Sequence, residues 1–355
     1  MECKEAPTSV AQLVHRHFYA PFVQHVVFRI MNRVQLIVVT LLGPEATLVW
    51  SEWSFIAVIT TFSRVTSLVH QQVVDGNYLY PRGGSRNPSK IVFYVHGGGF
   101  CLITETERVI AAKFWSLGLD ASFYMAQYPV CRPSSQVGVE DIMTTVMAQY
   151  ETVCSSNPGA SIVVAGDSAG GWIVTNLLLR TREANTPVGA VLLSPWLDVE
   201  MTSRLPSTIT NSRTDFMVRE FIEIFTLNVA GTGGVRPFSD LLREVSGAGI
   251  DNLLVVAGGG EIMLDEIRAL YVAARRGEDV TLYVGGGSPH IFVMSPLFQP
   301  AGLDGDEEVW AVMAGRVRKW LGQESNGDDE RVVWGEAVTE ESLADAKAFY
   351  EHAVK

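Results

Sequence analysis

The chain predicts an α/β fold, a mostly parallel central sheet flanked by helices, and three observations carry that reading. Short apolar, β-branched runs recur at 91–95, 161–165, 253–257 and 280–284. Stretches that read as helical alternate with them, at 139–153, 169–183, 219–228, 263–276 and 306–321. Such alternation gives parallel strands with helices on both faces. The third observation is size: 355 residues with 47% hydrophobic content can bury a large core in a single domain with additions. No internal repeat interrupts this pattern.

Taken in order, residues 1–72 precede the first strand and are apolar beyond what a surface extension needs. They hold two uncharged runs, 34–44 and 53–63, of eleven residues each. A membrane-spanning helix needs about twenty, and Glu45 and Glu52 interrupt the pair, so no transmembrane span is expected. Three readings stand: a cap over an active site, a monotopic membrane anchor, or a dimer surface. The cap ranks first, because interfacial helices carry a strongly basic polar face, and Arg16, Arg29, Arg33 and Arg64 do not form one.

The strand 91–95 runs into His96-Gly97-Gly98-Gly99-Phe100. Three consecutive glycines leave backbone N–H groups uncovered by side chains, which suits an oxyanion hole for acyl transfer. A dinucleotide-phosphate loop is the competing reading, but the G-x-G-x-x-G spacing is missing. The strand 161–165 runs into Gly166-Asp167-Ser168-Ala169-Gly170-Gly171, which fits the G-x-S-x-G elbow with Ser168 at the tip of a strand-to-helix turn. The following helix points its N-terminal N–H groups toward charge developing beside that hydroxyl.

A serine hydroxyl needs a histidine to take its proton and a carboxylate to orient that histidine. Where the serine sits on such an elbow, the acid follows it and the histidine comes last. Only His290 and His352 follow Ser168. His290 leaves the strand 280–284 through Gly285-Gly286-Gly287-Ser288-Pro289, whereas His352 lies near the end of a polar helix, so His290 is the expected base. The strand 253–257 ends in Gly258-Gly259-Gly260-Glu261, making Glu261 the first candidate acid. Asp265 ranks second, being far enough on to favour the positive end of the next helix instead, and Asp198 third.

At this point the chain resembles the hormone-sensitive-lipase group of α/β-hydrolases, also called bacterial family IV esterases. The matching residues are 96–100, 166–171, Ser194-Pro195-Trp196-Leu197-Asp198, and Glu261 with Leu264-Asp265-Glu266. The resemblance covers about residues 73–321. It implies an α/β-hydrolase fold with a helical cap built largely from the N-terminal segment and joined by residues 201–238. It also implies Ser168 as nucleophile, Glu261 as acid, His290 as base, and Gly98, Gly99 and Ala169 as oxyanion N–H donors. There are departures. The family's usual Tyr-Arg-Leu-Ala-Pro-Glu is here Tyr128-Pro129-Val130-Cys131-Arg132-Pro133, its acid is commonly Asp, and its His-Gly-Phe becomes His290-Ile291-Phe292.

Composition narrows the function classes. A net charge of −12 with no basic cluster argues against nucleic acid. Residues 323–355 carry nine acids against three bases, so half of that charge belongs to a C-terminal extension, 322–355, rather than to the site. Within it, Leu343, Ala346, Phe349, Tyr350 and Ala353 form an apolar stripe at helical spacing, expected to pack on the body, with a second copy of the chain as the competing partner. Four cysteines, Cys3, Cys101, Cys131 and Cys154, show no metal-ligand spacing; no metal and no cofactor is implied. Cys101 reads as a small buried filler. The first residues do not read as a secretory signal, which makes a cytoplasmic location the default.

The expected function is a serine hydrolase cleaving a small to medium, largely apolar carboxylic ester through an acyl-enzyme. Two alternatives are weighed against it. One is an acyltransferase or cyclase of specialised metabolism that uses the same triad. The other is a non-catalytic small-molecule receptor of the gibberellin-receptor type, which resembles this group but lacks the catalytic histidine.

Overall fold

The computed structural model describes residues 72–294, 305–323 and 339–354, less a few scattered positions. Of the first 71 residues it describes only Arg33, Val34, Ile37, Leu41, Thr47, Leu48 and Ser51. Most of the N-terminal segment expected to cap the site therefore lies outside the described residues, as does the stretch 324–338.

Eight strands form one sheet. They are β1 (Gln72–Asp75), β2 (Tyr78–Pro81), β3 (Lys90–Val95), β4 (Ser122–Ala126), β5 (Ser161–Asp167), β6 (Gly189–Leu193), β7 (Leu253–Gly258) and β8 (Val280–Gly285). Their order is β1-β2-β4-β3-β5-β6-β7-β8. β2 pairs antiparallel with both neighbours, and every pair from β4 to β8 is parallel. The described helices are α1 (Thr106–Ser116), α2 (Val139–Ser156), α3 (Ala169–Arg180), α4 (Ser207–Thr210), α5 (Arg219–Ala230), α6 (Phe238–Ala248), α7 (Leu264–Ala274), α8 (Gly305–Trp320) and α9 (Ala344–Val354).

The near-continuous apolar strands follow from burial on both faces. Successive side chains point to opposite sides, so Ile91, Phe93 and Val95 join one buried cluster while Val92 and Tyr94 join the other. The first cluster takes Trp172 and Leu177 of α3, Ile142 and Tyr150 of α2, and Ile267 and Leu270 of α7. The second takes Ile110 and Phe114 of α1 and Trp310 and Met313 of α8. Trp172 and Trp310 are among the largest fully buried side chains; truncating either to Ala is expected to cost about 3–5 kcal/mol. Leu48 lies fully buried in the first cluster, so the N-terminal segment reaches the body at that point.

Local chemistry sets element ends. α2 opens with the Asp141 carboxylate accepting the Gly138 N–H at 2.8 Å, one of the donors a helix start leaves orphaned. α9 docks as its stripe predicts: Leu343 and Ala346 are buried, Phe349 stacks on Phe238 at 5.5 Å, and the Tyr350 hydroxyl donates to Ser246 Oγ at 2.6 Å. Helices α1, α4 and α6 are absent from the sequence reading, and α1 and α6 complete the layers. Among the described residues no helix is long and apolar enough to cross a membrane.

Because β3 and β5 to β8 run parallel, their C-terminal ends share one edge. The loops leaving β3, β5, β6, β7 and β8 therefore meet there, and each carries one of the sequence motifs.

Candidate active site

β5 ends at Asp167 and α3 begins at Ala169, which leaves Ser168 alone in the turn with φ 51° and ψ −122°. Left-handed backbone at a non-glycine residue is strained and persists only where its surroundings over-determine it. Here the Ser168 N–H donates to the Leu193 carbonyl at 2.9 Å, and the Ser168 carbonyl accepts from Gly171 at 2.9 Å and Trp196 at 3.0 Å. Gly170 meets the end of β3 so closely that a Cβ would land on the Val95 carbonyl and 2.6 Å from that of His96. Only glycine permits that approach.

The loop after β8 brings His290 to this turn. Its Nε2 lies 3.0 Å from Ser168 Oγ, and its Nδ1 lies 3.3 Å from Glu261 Oε2. Glu261 sits fully buried between the end of β7 and the start of α7. The longer glutamate arm thus spans the gap expected of the commoner aspartate. The second distance exceeds a tight hydrogen bond, and such contacts tighten when substrate is bound. Burial lowers the basicity of His290, but the hydrogen bond and charge of Glu261, with the charges of Asp215 and Asp167, outweigh it and raise the pKa above its ordinary value. Burial in turn raises the Glu261 carboxyl, against the pull of His290 and of the Ser194 hydroxyl.

The two lower-ranked acids are placed elsewhere. Asp265 lies within α7, where it accepts the Ser207 N–H at 2.8 Å and pairs with Arg268 at 3.1 Å. Asp198 accepts from Thr202 and Ser203 in its own loop.

Gly98 and Gly99 leave β3 with φ of 101° and 60°. The Gly98 carbonyl accepts from Cys101 and Leu102, at 3.0 and 2.9 Å, and closes the turn. Its entry is held by Asp167, whose Oδ1 accepts the Gly97 N–H at 3.0 Å, the Tyr94 hydroxyl at 2.8 Å and the Thr106 hydroxyl at 2.9 Å. His96 stacks on Tyr128 with ring centroids 4.3 Å apart. Burial drops its pKa to about 4, so its ring is a neutral structural piece. Ala169 opens α3, whose first N–H groups have no intrahelical acceptor. Cys101 is fully buried and burial pushes its thiol well up, in keeping with a filler.

The segment between β6 and β7 covers this edge. Phe225 of α5 stands against Gly99, where a Cβ would come within 2.5 Å of its ring, and it approaches Trp196 at 6.3 Å. Three residues that sequence reasoning did not single out also meet here. The Ser194 hydroxyl accepts the Ile291 N–H at 3.0 Å, Asp167 anchors the glycine loop, and Asp215 accepts the His290 N–H at 3.1 Å. Asp167 and Ser194 lie inside quoted motifs, so their signal was position alone; nothing in the spacing marks Asp215.

A family described as the alpha/beta hydrolase fold matches residues 92–294. An acetyl-hydrolase of Streptomyces hygroscopicus is 26% identical over 206 residues, covering 56% of this chain and 66% of that protein. The chain spans between 43% and 66% of the length of the curated relatives it matches. Among solved structures, a mutant form of the esterase E40 is 26% identical with a TM-score of 0.57, covering 69% of this chain and 80% of its own. An esterase from the bacterial hormone-sensitive lipase family has a TM-score of 0.63 at 23% identity, covering 84% of this chain and 98% of its own. With motif order, sheet topology and more than half the chain in agreement, the protein belongs to the alpha/beta hydrolase fold family.

Proposed function

We propose that the chain is a serine ester hydrolase in which Ser168 is the nucleophile, His290 the general base and Glu261 the orienting acid. The observation that carries this reading is the placement of His290, within 3.0 Å of Ser168 Oγ on one side and 3.3 Å of Glu261 on the other. Ser168 Oγ attacks the ester carbonyl while His290 Nε2 takes the hydroxyl proton. The carbonyl oxygen becomes an oxyanion, received by the N–H groups of Gly98, Gly99 and Ala169. Collapse expels the alkoxide, which leaves as alcohol with the proton from His290. Water then enters, gives a proton to His290 and attacks the acyl-enzyme; collapse of this second intermediate expels Ser168 Oγ, which takes the proton back from His290 as the carboxylic acid is released. Glu261 keeps the imidazole in the tautomer with Nε2 free to accept and stabilises the imidazolium that forms.

The substrate class is a small to medium, largely apolar ester, and the acetyl-hydrolase relative favours a short acyl group. We assign residues 73–321 to the catalytic unit and residues 1–72 and 201–238 to a cap. The cap reading is supported by Phe225 over Gly99 and by Leu48 in the core. Residues 322–355 form the extension that ends in α9. A cytoplasmic site of action completes the reading, with no part for nucleic acid. A receptor role is disfavoured by a histidine in hydrogen-bond reach of the serine.

Turnover of p-nitrophenyl acetate and butyrate by the purified chain tests the reading. Ser168→Ala should lower kcat by several orders of magnitude, on the scale of triad removals, and abolish fluorophosphonate labelling. Wild-type turnover in that variant would refute it.

A further inference from the structure

The segment between β6 and β7 does more than cover the site. The Asn211 amide donates to the Glu261 carbonyl at 2.8 Å, the Thr214 hydroxyl donates to the Gly260 carbonyl at 2.9 Å, and Asp215 Oδ2 accepts the Ile262 N–H at 2.9 Å. Three side chains within five residues thus grip the backbone of the acid turn, on either side of Glu261. Of these three, Asp215 also reaches the other loop: its Oδ1 accepts the His290 N–H at 3.1 Å, and the Met217 N–H at 3.2 Å. The residue is fully buried.

We propose that Asp215 is a positioning residue of the reaction: its carboxylate ties the acid turn to the base loop and places a second negative charge beside His290. The inference rests on the triad reading above. Three N–H donors converge on the group, and only the ionised form offers acceptors to all of them without presenting a proton of its own. Burial raises its carboxyl from the ordinary value, while His290 and the three N–H groups pull it back. A carboxylate with one oxygen on each loop fixes the separation of Glu261 and His290, which lie on different strand ends with no covalent reason to stay in register. Pre-set separation of this kind matters steeply, since about 1 Å of misplacement can lower a rate on the order of 10²-fold.

The charge has its own consequence. The groups facing His290 are Glu261 from the turn after β7, Asp215 from the segment after β6, and Asp167 from the end of β5, all acidic. Removing one anion disfavours the imidazolium. The base then stays neutral, and competent, to lower pH.

The test is Asp215→Asn, with Asp215→Glu beside it, assayed with p-nitrophenyl butyrate across pH and normalised to sites labelled by a fluorophosphonate. In Asp215→Asn one oxygen becomes an amide NH2, so one of the two loops loses its acceptor. The expected result is kcat lower on the order of 10²-fold, little change in KM, and an acid limb of kcat/KM moved to lower pH. Asp215→Glu should keep the limb where it is while lowering kcat, because the charge remains and the geometry shifts. A residue needed only for folding would reduce the labelled fraction and leave the limb and the per-site kcat alone; that result overturns the proposal. So does a moved limb in Asp215→Glu. If Asp215→Asn yields no folded protein, Asp215→Glu decides, and an unchanged per-site kcat there is refutation. Failure of the triad reading is told apart by the wild type, which would then show no labelling at Ser168.

Discussion

Ile291 carries a prediction that inverts an ordinary rule. It follows the base, is 8% exposed, and adopts φ 46°. This is the position where the resembling family has glycine, and a β-branched residue in left-handed backbone is a genuine outlier. Truncating the buried side chain to Ala removes its packing, at about 2–5 kcal/mol. Truncating to Gly removes those atoms and Cβ as well and, at an ordinary position, would be worse by roughly 0.5–1 kcal/mol through the extra freedom of the unfolded chain. At φ 46° the alanine Cβ still meets the following carbonyl, a strain of roughly 1–2 kcal/mol that glycine does not have. Strain relief exceeds the entropy difference, so stability should run wild type, then Ile291→Gly, then Ile291→Ala, with the last two separated by about 0.5–1 kcal/mol. Urea denaturation followed by tryptophan fluorescence, with midpoints compared at a common slope, measures this directly. An alanine variant equal to or more stable than the glycine variant would show that the loop relaxes out of the left-handed region, and the account of a clamped base loop would fail.

Two further outcomes follow from the site. Activity should fall as pH drops through the raised pKa of His290, because protonation removes the base; Glu261→Gln, by deleting the charge that raises that pKa, should move the acid limb of kcat/KM to lower pH and reduce kcat, and a limb left in place would refute the assignment of Glu261. Gly99→Ala should lower kcat on the order of 10²-fold with the fold intact by circular dichroism, since the new Cβ would lie 2.5 Å from the Phe225 ring at a residue with φ 60°; unchanged kcat would remove Gly99 from the oxyanion set.

Much of this was legible in the sequence for a physical reason. Strands buried on both faces must be apolar throughout, so β3, β5, β7 and β8 stand out as β-branched runs. The candidate triad sits where those runs stop, which is why strand ends, together with the G-x-S-x-G elbow and the two histidines that follow it, were enough to rank Ser168, Glu261 and His290. β1, β2, α1 and α6 were less visible. Both strands are four residues long, too short for a period to declare itself, and α1 mixes Thr106, Glu107 and Lys113 among its apolar positions. Asp215 was invisible for a different reason. Its partners are backbone N–H groups, and every residue but proline has one, so no side-chain pattern elsewhere in the chain announces the contact.

That last point applies to the whole edge. Four of the seven described non-glycine residues with positive φ, namely Phe100, Ser168, Ser194 and Ile291, belong to loops of this site. Strain there has to be offset by contacts that hold the backbone itself, and buried carboxylates supply them. Asp167 accepts the Gly97 N–H at 3.0 Å and fixes the loop leading to Phe100. Glu266 accepts the Leu197 and Asp198 N–H groups, at 3.2 and 2.8 Å, behind Ser194. Asp215 holds His290 next to Ile291. Each of these acids is desolvated, which raises its pKa, and burying such groups is unfavourable unless they are well hydrogen-bonded. A chain selected for stability alone would not place three of them along one edge. Their common partner type, backbone rather than cation, indicates that what they secure is the conformation of the loops that carry the proposed nucleophile, base and oxyanion donors.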